Sequence, residues 1–307
     1  MCILAILVGN SNSNTILCSN RDEIIARPTE RGHIRPENLI FSAIDLDAGG
    51  TWLALEGKFG RFAVVLNYHT WRYSNSSPTS ANVEYLSRGK LVSNFLESKK
   101  EVTAESYAHS VTQTQSSYRG FSLVVGDPHG CYYVSTAAPE TCQPLTPGEL
   151  YVVSNGSMDP WEKVGRLRAS VEQVLVERGE LELKTDPLCR QKRERERERE
   201  TGEARLQRTR ALSYSLLSCL LDGTPLRDAT HGDSCPVHSR LSAVFVPPTT
   251  RSDGNLFGTR ASTVVVIERR LGEGEGEGGD CSVAETAMKD GVSVQDHSSS
   301  SSSSSSS

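Results

Sequence analysis

Met1-Cys2-Ile3-Leu4-Ala5-Ile6-Leu7-Val8, a polar turn over residues 9–14, and Thr15-Ile16-Leu17-Cys18-Ser19-Asn20-Arg21-Asp22-Glu23 open the chain. The apolar run is short, is β-branched at Ile3, Ile6 and Val8, and is closed by Gly, Asn and Ser, which is the chemistry of a β-hairpin. A strand from Ile3 makes Cys2 the residue just ahead of it. Cys2 is small, so removal of Met1 is expected, and one residue would then carry both a thiol and an α-amine. With a reference pKa of about 7.7–8, that amine can act as base toward a nucleophile on its own residue. Free cysteine is also among the most buried residue types, so the position equally suits the start of a core strand.

Working outward, residues 51–56 (TWLALE) and 62–67 (FAVVLN) flank residues 57–61 and predict a second hairpin. Residues 82–96 turn helical, because Val83, Leu86, Leu91, Phe95 and Leu96 fall near a 3.6-residue period. A more polar helix follows over 101–116. Strands return at 121–126 (FSLVVG), 131–135 and 151–154, with Asp127-Pro128-His129-Gly130 as a turn between the first two. Residues 158–176 predict a helix opened by Asp159-Pro160, and 206–221 another, on Leu212, Leu216, Leu217 and Leu220. Residues 242–246 and 263–268 predict the final strands. Strands, then helices, then strands, helices and strands suit an α+β class with layered, mainly antiparallel sheets better than an alternating parallel fold.

Residues 1–270 read as a single domain. A charged low-complexity insertion at 190–205 interrupts it, built on the Arg-Glu alternation of 193–200. Residues 271–307 read as a disordered tail of Gly-Glu repeats and, over 298–307, ten serines. Such stretches bury too little apolar surface to offset their ordering entropy.

The chain has 307 residues, of which 36% are hydrophobic, and its 25 glycines bring it near the globular range of about 45–50% counted with Gly. A net charge of −5 argues against a general nucleic-acid binder. No apolar stretch approaches the ~18 residues a membrane-spanning helix needs. Residues 3–8 are short for a signal-peptide core and lack a basic region before them, so a cytoplasmic protein is expected. The eight cysteines (2, 18, 131, 142, 189, 219, 235 and 281) form no CxxC pair, and reduced thiols are the default. His231, Cys235 and His238 lie close in sequence, but no second cluster accompanies them and no metal site is expected.

Several short motifs point the same way: Asn20-Arg21-Asp22-Glu23 with Arg27-Pro28, Gly49-Gly50-Thr51-Trp52-Leu53, Asn67-Tyr68 and Arg88-Gly89-Lys90-Leu91-Val92. Ser154-Asn155-Gly156 ahead of Asp159-Pro160-Trp161-Glu162-Lys163-Val164, and Gly258-Thr259-Arg260 ahead of the last strand, complete the series. With Met1-Cys2, in this order, they resemble the NRDE family, the transport and Golgi organisation protein 2 homologues. The resemblance implies a fold similar to the N-terminal-nucleophile hydrolases, a four-layer αββα sandwich. In cysteine members of that wider group, such as conjugated bile acid hydrolases and penicillin V acylases, the first mature residue attacks an amide. An Arg and an Asp orient its amine, and an Asn donates to the oxyanion. The matching positions are Cys2, Arg21, Asp22 and Asn155, with Asn20, Asn67 and Arg260 as further pocket candidates.

The side-chain chemistry suits those roles. Arg21 offers a fork of donors that holds a carboxylate or favours a thiolate. Asp22 can accept from an α-ammonium, and Asn155 can donate to a developing oxyanion. Yet Arg21 and Asp22 are adjacent, so on a straight strand only one faces Cys2. Asn155-Gly156 alone also reads as a turn, and Trp52 and Trp161 as packing anchors.

The resemblance further implies a role in Golgi organisation, protein secretion and lipid or haem homeostasis, with association with Golgi or mitochondria. Two activities stay open: an amidase or thioesterase built on Cys2, and a non-enzymatic carrier of haem, acyl-CoA or lipid on the same fold. No resident cofactor is expected; haem enters as a transported ligand. One departure stands out. After Glu268-Arg269-Arg270 the chain passes into Gly-Glu repeats, where family members usually continue with another apolar strand. Loss of that strand would bare a sheet edge.

Overall fold

A computed structural model of the chain describes residues 2–10, 13–57, 60–68, 84–138, 141–155, 162–181, 195, 200–224, 243–251, 253–268, 280–289 and 292–300. The chain begins with β1 (Ile3–Leu7), β2 (Thr15–Ile24), β3 (Thr29–Ile34), β4 (Ile40–Asp45), β5 (Leu53–Glu56) and β6 (Arg61–Asn67). Helices α1 (Gly89–Glu97) and α2 (Ala104–Thr114) follow, then β7 (Phe121–Asp127), β8 (Gly130–Ser135), β9 (Cys142–Pro144) and β10 (Leu150–Ser154). Helices α3 (Glu162–Glu177) and α4 (Gly202–Leu220) precede β11 (Thr249–Thr250), β12 (Leu256–Glu268), β13 (Asp280–Lys289) and β14 (Val292–Ser300). Among the described residues this is a mixed α+β fold of two antiparallel sheets and four α-helices. One sheet runs β10-β1-β2-β12-β13-β14 with β11 beside β12, the other β3-β4-β5-β6-β7-β8-β9.

The first strand shows why. All five residues of β1 are buried, so it reads as a continuous apolar run rather than an alternation. Successive side chains still point to opposite faces. Leu4 and Ile6, with Cys2 and Val8, meet Phe41, Leu55, Phe62 and Val64 of the other sheet. Ile3, Ala5 and Leu7 join Val164, Leu167, Leu212 and Leu216 of α3 and α4. On the second sheet, Ala63, Val65, Leu123 and Val125 pack with Leu91, Phe95, Ala108 and Val111 of α1 and α2. Each fully buried aliphatic side chain contributes about 1.5–3 kcal/mol.

Four local expectations change. The strand predicted over 15–19 continues to Ile24, so Asn20-Arg21-Asp22-Glu23 lies within β2. The helix predicted from 82 starts at Gly89, because Leu86 instead bridges Tyr118. Residues 243–245 are bends rather than a strand. Backbone groups here are satisfied from elsewhere: Asn20 Nδ2 donates to the Val244 carbonyl at 3.0 Å, Phe245 N–H donates to the Asp222 carbonyl at 2.9 Å, and the next residue, Val246, donates its N–H to Thr259 Oγ1 at 2.8 Å. Finally, the sheet edge expected to be bare is covered. Residues 280–289 pair with β12 from Ala261↔Ala287 to Glu268↔Asp280, and residues 292–300 pair with them in turn, so this part of the tail is strand. Strand pairing uses backbone N–H and C=O groups, which composition does not reveal.

Trp161, the trio His231, Cys235 and His238, and most of the Arg-Glu insertion lie outside the described residues. Among the described residues no helix is long and apolar enough to cross a membrane.

Candidate functional site

A cleft of about 410 Å³ opens where β1 and β2 meet the second sheet. Cys2, Arg21, Asp22 and Glu23 form one side, and the turn from Asp45 to Trp52 another. Val65 and Asn67 of β6, residues 85–89 ahead of and into α1, and Arg119 complete it. Cys2 is a buried free thiol whose Sγ sits 3.8 Å from the Asp22 carbonyl oxygen. Burial pushes its pKa above the ordinary value, and the Asp22 charge adds to this; the amino terminus, the Asp22 carbonyl contact and the Arg21 cation act the other way. The net effect is upward.

The alternation of β2 sorts its four motif residues. Arg21 faces Cys2. Its Nη2 donates to Asp45 Oδ2 at 2.9 Å, Nη1 to Thr29 Oγ1 at 3.4 Å, and the guanidinium lies 4.4 Å over the Trp52 ring. Asp22 presents its carbonyl to Cys2 while its carboxylate turns to the helix side and accepts from Thr259 Oγ1 at 2.7 Å. Asn20 turns the same way: Nδ2 donates to the Leu220 carbonyl at 2.8 Å as well as to Val244, tying the end of α4 to the sheet. Asn20 is therefore a fastener behind the sheet, while Arg21 lines the cleft wall together with Glu23, 3.6 Å from it.

Asp45 organises the rim. Arg27 Nε donates to the same Oδ2 at 2.7 Å, and Oδ1 caps the following turn by accepting from Asp47 and Ala48 N–H at 3.2 Å each. Burial alone would raise the Asp45 pKa, but the Arg27 hydrogen bond and the Arg21 charge overcome it and hold the carboxyl below the ordinary range. At the end of that turn Gly50 crosses Gly89 so closely that a Cβ on Gly89 would lie 2.8 Å from Thr51 N and 2.9 Å from Gly50 Cα. Gly49 supplies the turn's left-handed residue, at φ 64°. The crossing and the positive φ account for the glycines at 49, 50 and 89.

Of the remaining candidates, Asn67 lines the cleft and Asn155 lies just outside the wall. Asn155 Nδ2 donates to the Asn67 carbonyl at 2.6 Å, and its buried Oδ1 has no partner among the described residues. Arg260 occupies the irregularity between Thr259 and Ala261 in the β2–β12 ladder and reaches the Arg27 carbonyl at 3.4 Å, away from Cys2. Sequence reasoning missed Asp45 and gave no role to Arg27, Arg88 or Arg119. It also missed Lys163, buried in the first turn of α3 on the helix side. Burial lowers the Lys163 pKa to about 8, against the upward pull of the Asp22 and Cys2 charges.

Among the described residues no group of His, Cys, Asp and Glu is arranged to hold a metal ion. Comparison with curated proteins gives no match. The family model described as Transport and Golgi organisation 2 matches residues 1–290, a span that holds the whole Cys2 cleft and β13. The chain thus belongs to the Transport and Golgi organisation 2 family, the NRDE family of the sequence motifs, with the family-level role in transport and Golgi organisation that this carries.

Proposed function

We propose that the protein is a Cys2-dependent acyl hydrolase acting on an amide or thioester, on a four-layer αββα sandwich similar to the N-terminal-nucleophile hydrolases. The observation that carries this reading is Cys2 itself: a free thiol at a cleft wall, facing an arginine fixed by Asp45 and Trp52. With Met1 removed, the α-amine of Cys2 takes the thiol proton, and sulfur attacks the acyl carbonyl carbon. The carbonyl π electrons move to oxygen. The second amide N–H of Asn155, left over from its bond to Asn67, is the assigned oxyanion donor. Collapse of the oxyanion breaks the C–N or C–S bond, and the leaving group takes the proton held by the α-ammonium. Water then hydrolyses the Cys2 thioester to a carboxylic acid and restores the thiol. Arg21 favours the thiolate by its charge; Asp22 sets the Cys2 environment through its carbonyl and its field. Asn20, Asn67 and Arg260 hold the surrounding backbone.

The raised pKa of Cys2 favours a second reading, a carrier that binds acyl-CoA, lipid or haem in the same cleft without turnover. Under either reading the protein is cytoplasmic and visits Golgi or mitochondrial membranes, in keeping with the family's association with Golgi organisation, secretion and lipid or haem balance.

One experiment separates the two. Intact mass is followed while the Met1-processed protein, a Met1-retained form and Cys2→Ala meet a panel of acyl amides and thioesters. Hydrolysis is expected only from the processed form, with a transient acyl adduct on Cys2. Equal hydrolysis by Cys2→Ala ends the nucleophile assignment. Ligand retention without turnover in all three forms favours the carrier.

A further inference from the structure

Among the described residues, two guanidinium groups that line the cleft are left without a carboxylate. Arg21 and Arg27 spend their charge on Asp45 and Glu23, whose oxygens lie 2.7–3.9 Å from them. Arg88 and Arg119 line the same cleft, and among the described residues neither has an acidic side chain in ion-pair range. Arg88 reaches the backbone next to Arg119. Arg88, half-buried, donates from Nη1 to the Gly120 carbonyl at 3.1 Å, one residue from Arg119. Arg119 stands 5.7 Å from the Tyr85 ring. Two like charges in one partly desolvated wall repel each other, and burial with the Arg119 charge pushes Arg88 below its ordinary pKa, although Cys2 and Glu23 oppose this. An anion between them removes the repulsion and accepts from both forks.

Beside this pair the wall turns apolar and open. Tyr85 is 40% and Leu86 56% exposed, and both line the cleft. Isolated exposed apolar residues are ordinary, but here two adjoin an unspent pair of cations and a buried thiol.

We propose that Arg88 and Arg119 form an anion clamp that holds a carboxylate or phosphate of the ligand, while Tyr85 and Leu86 cover the apolar chain next to it. Resting on the reading of the Cys2 cleft as a substrate site, this assigns the substrate class: anionic acyl compounds. A guanidinium fork recognises carboxylate and phosphate alike, so the shared chemistry is an amphiphilic oxyanion.

The test is isothermal titration of the full chain with N-decanoylglycine, decyl phosphate and the uncharged N-decanoylglycinamide. Both anions are expected to bind at least about tenfold tighter than the amide, with an affinity that falls as salt rises. Whichever anion binds tighter identifies the natural headgroup. Arg88→Gln and Arg119→Gln should each remove most of that preference, and Arg210→Gln, at an exposed position of α4, should not. Arg119 is exposed, so its variant tests the clamp without endangering the fold. Equal binding of the amide, or a preference that survives both substitutions, overturns the proposal. Cys2→Ala keeps the clamp and is expected to retain anion binding. Preference without turnover would therefore defeat the hydrolase reading alone, and Cys2-dependent turnover indifferent to ligand charge would defeat the clamp alone.

Discussion

Alanine at Gly89 drives a methyl group into backbone that has nowhere to go. An ideal Cβ there lies 2.8 Å from Thr51 N, 2.9 Å from Gly50 Cα and 3.0 Å from Gly50 C. Non-bonded heavy atoms of this kind rest at about 3.5–4.0 Å, so the start of α1 must retreat by about 0.7 Å. No rotamer relieves the clash, because none of the three atoms belongs to a side chain. Forced repacking of this sort costs about 1–3 kcal/mol. The upper end is expected, since α1 carries the buried Leu91, Val92, Phe95 and Leu96 and cannot slide without loosening them. Gly165→Ala is the control: it lies on the exposed face of α3, its Cβ meets nothing within 4 Å, and it should gain about 0.5–1 kcal/mol of helix propensity. Urea unfolding of the parent and both variants, read at equal m-values, should separate the two midpoints in opposite directions. Arg88 moves with its neighbour, so Gly89→Ala should also weaken anion binding. A Gly89→Ala protein as stable as the parent would refute the close crossing of Gly50 and Gly89, and with it the geometry given to Arg88.

Two further outcomes follow from buried charges. Lys163 has a folded pKa of about 8 against an ordinary 10.5, so the unfolded chain binds the extra proton between those values and stability rises with pH there. The penalty is present in full below pH 8; measured against Lys163→Met, the parent should gain on the order of 3 kcal/mol as pH climbs from 7 to 10.5, and parallel pH profiles would contradict this. Arg61 Nη2 donates to the Phe95 carbonyl at 2.6 Å and to Ser98 Oγ at 2.8 Å, and Nη1 lies 3.6 Å from the buried Glu56, which also pairs with Lys100. Arg61→Met should cost about 3 kcal/mol in urea unfolding, and adding Glu56→Gln should recover part of it by removing the stranded charge; a single variant within experimental error of the parent would show the pair to be dispensable.

The motif at residues 20–23 illustrates how sequence and structure divide the labour. Period-2 alternation already requires Arg21 and Asp22 to point apart, and they do: Arg21 to the cleft, the Asp22 carboxylate to Thr259. Alternation does not say that Asp22 would still reach Cys2 through its backbone carbonyl. Asn20 looked like a pocket residue because of its neighbours, but its partners are carbonyls at positions 220 and 244. Asn155 was legible as a strand-end amide; its bond to the Asn67 carbonyl was not. Asp45 gave no signal, since an aspartate ahead of Gly49-Gly50 reads as an ordinary turn residue until Arg21 and Arg27 converge on it.

By itself the sequence determined the α+β class, most strands and helices and the family, because each rests on short-range facts. Hairpin turn chemistry, a 3.6-residue apolar period and the order of motifs are all written within a few residues of one another. Only the tertiary structure decided which β12 register faces β2, that residues 280–300 extend that sheet, and which arginines meet a carboxylate. Those outcomes depend on pairings between residues 24, 32 or 237 positions apart, as in Arg21–Asp45, Arg88–Gly120 and Asp22–Thr259. No local pattern encodes such pairings. They arise when packing two sheets face to face leaves each buried polar group to find its partner in three dimensions.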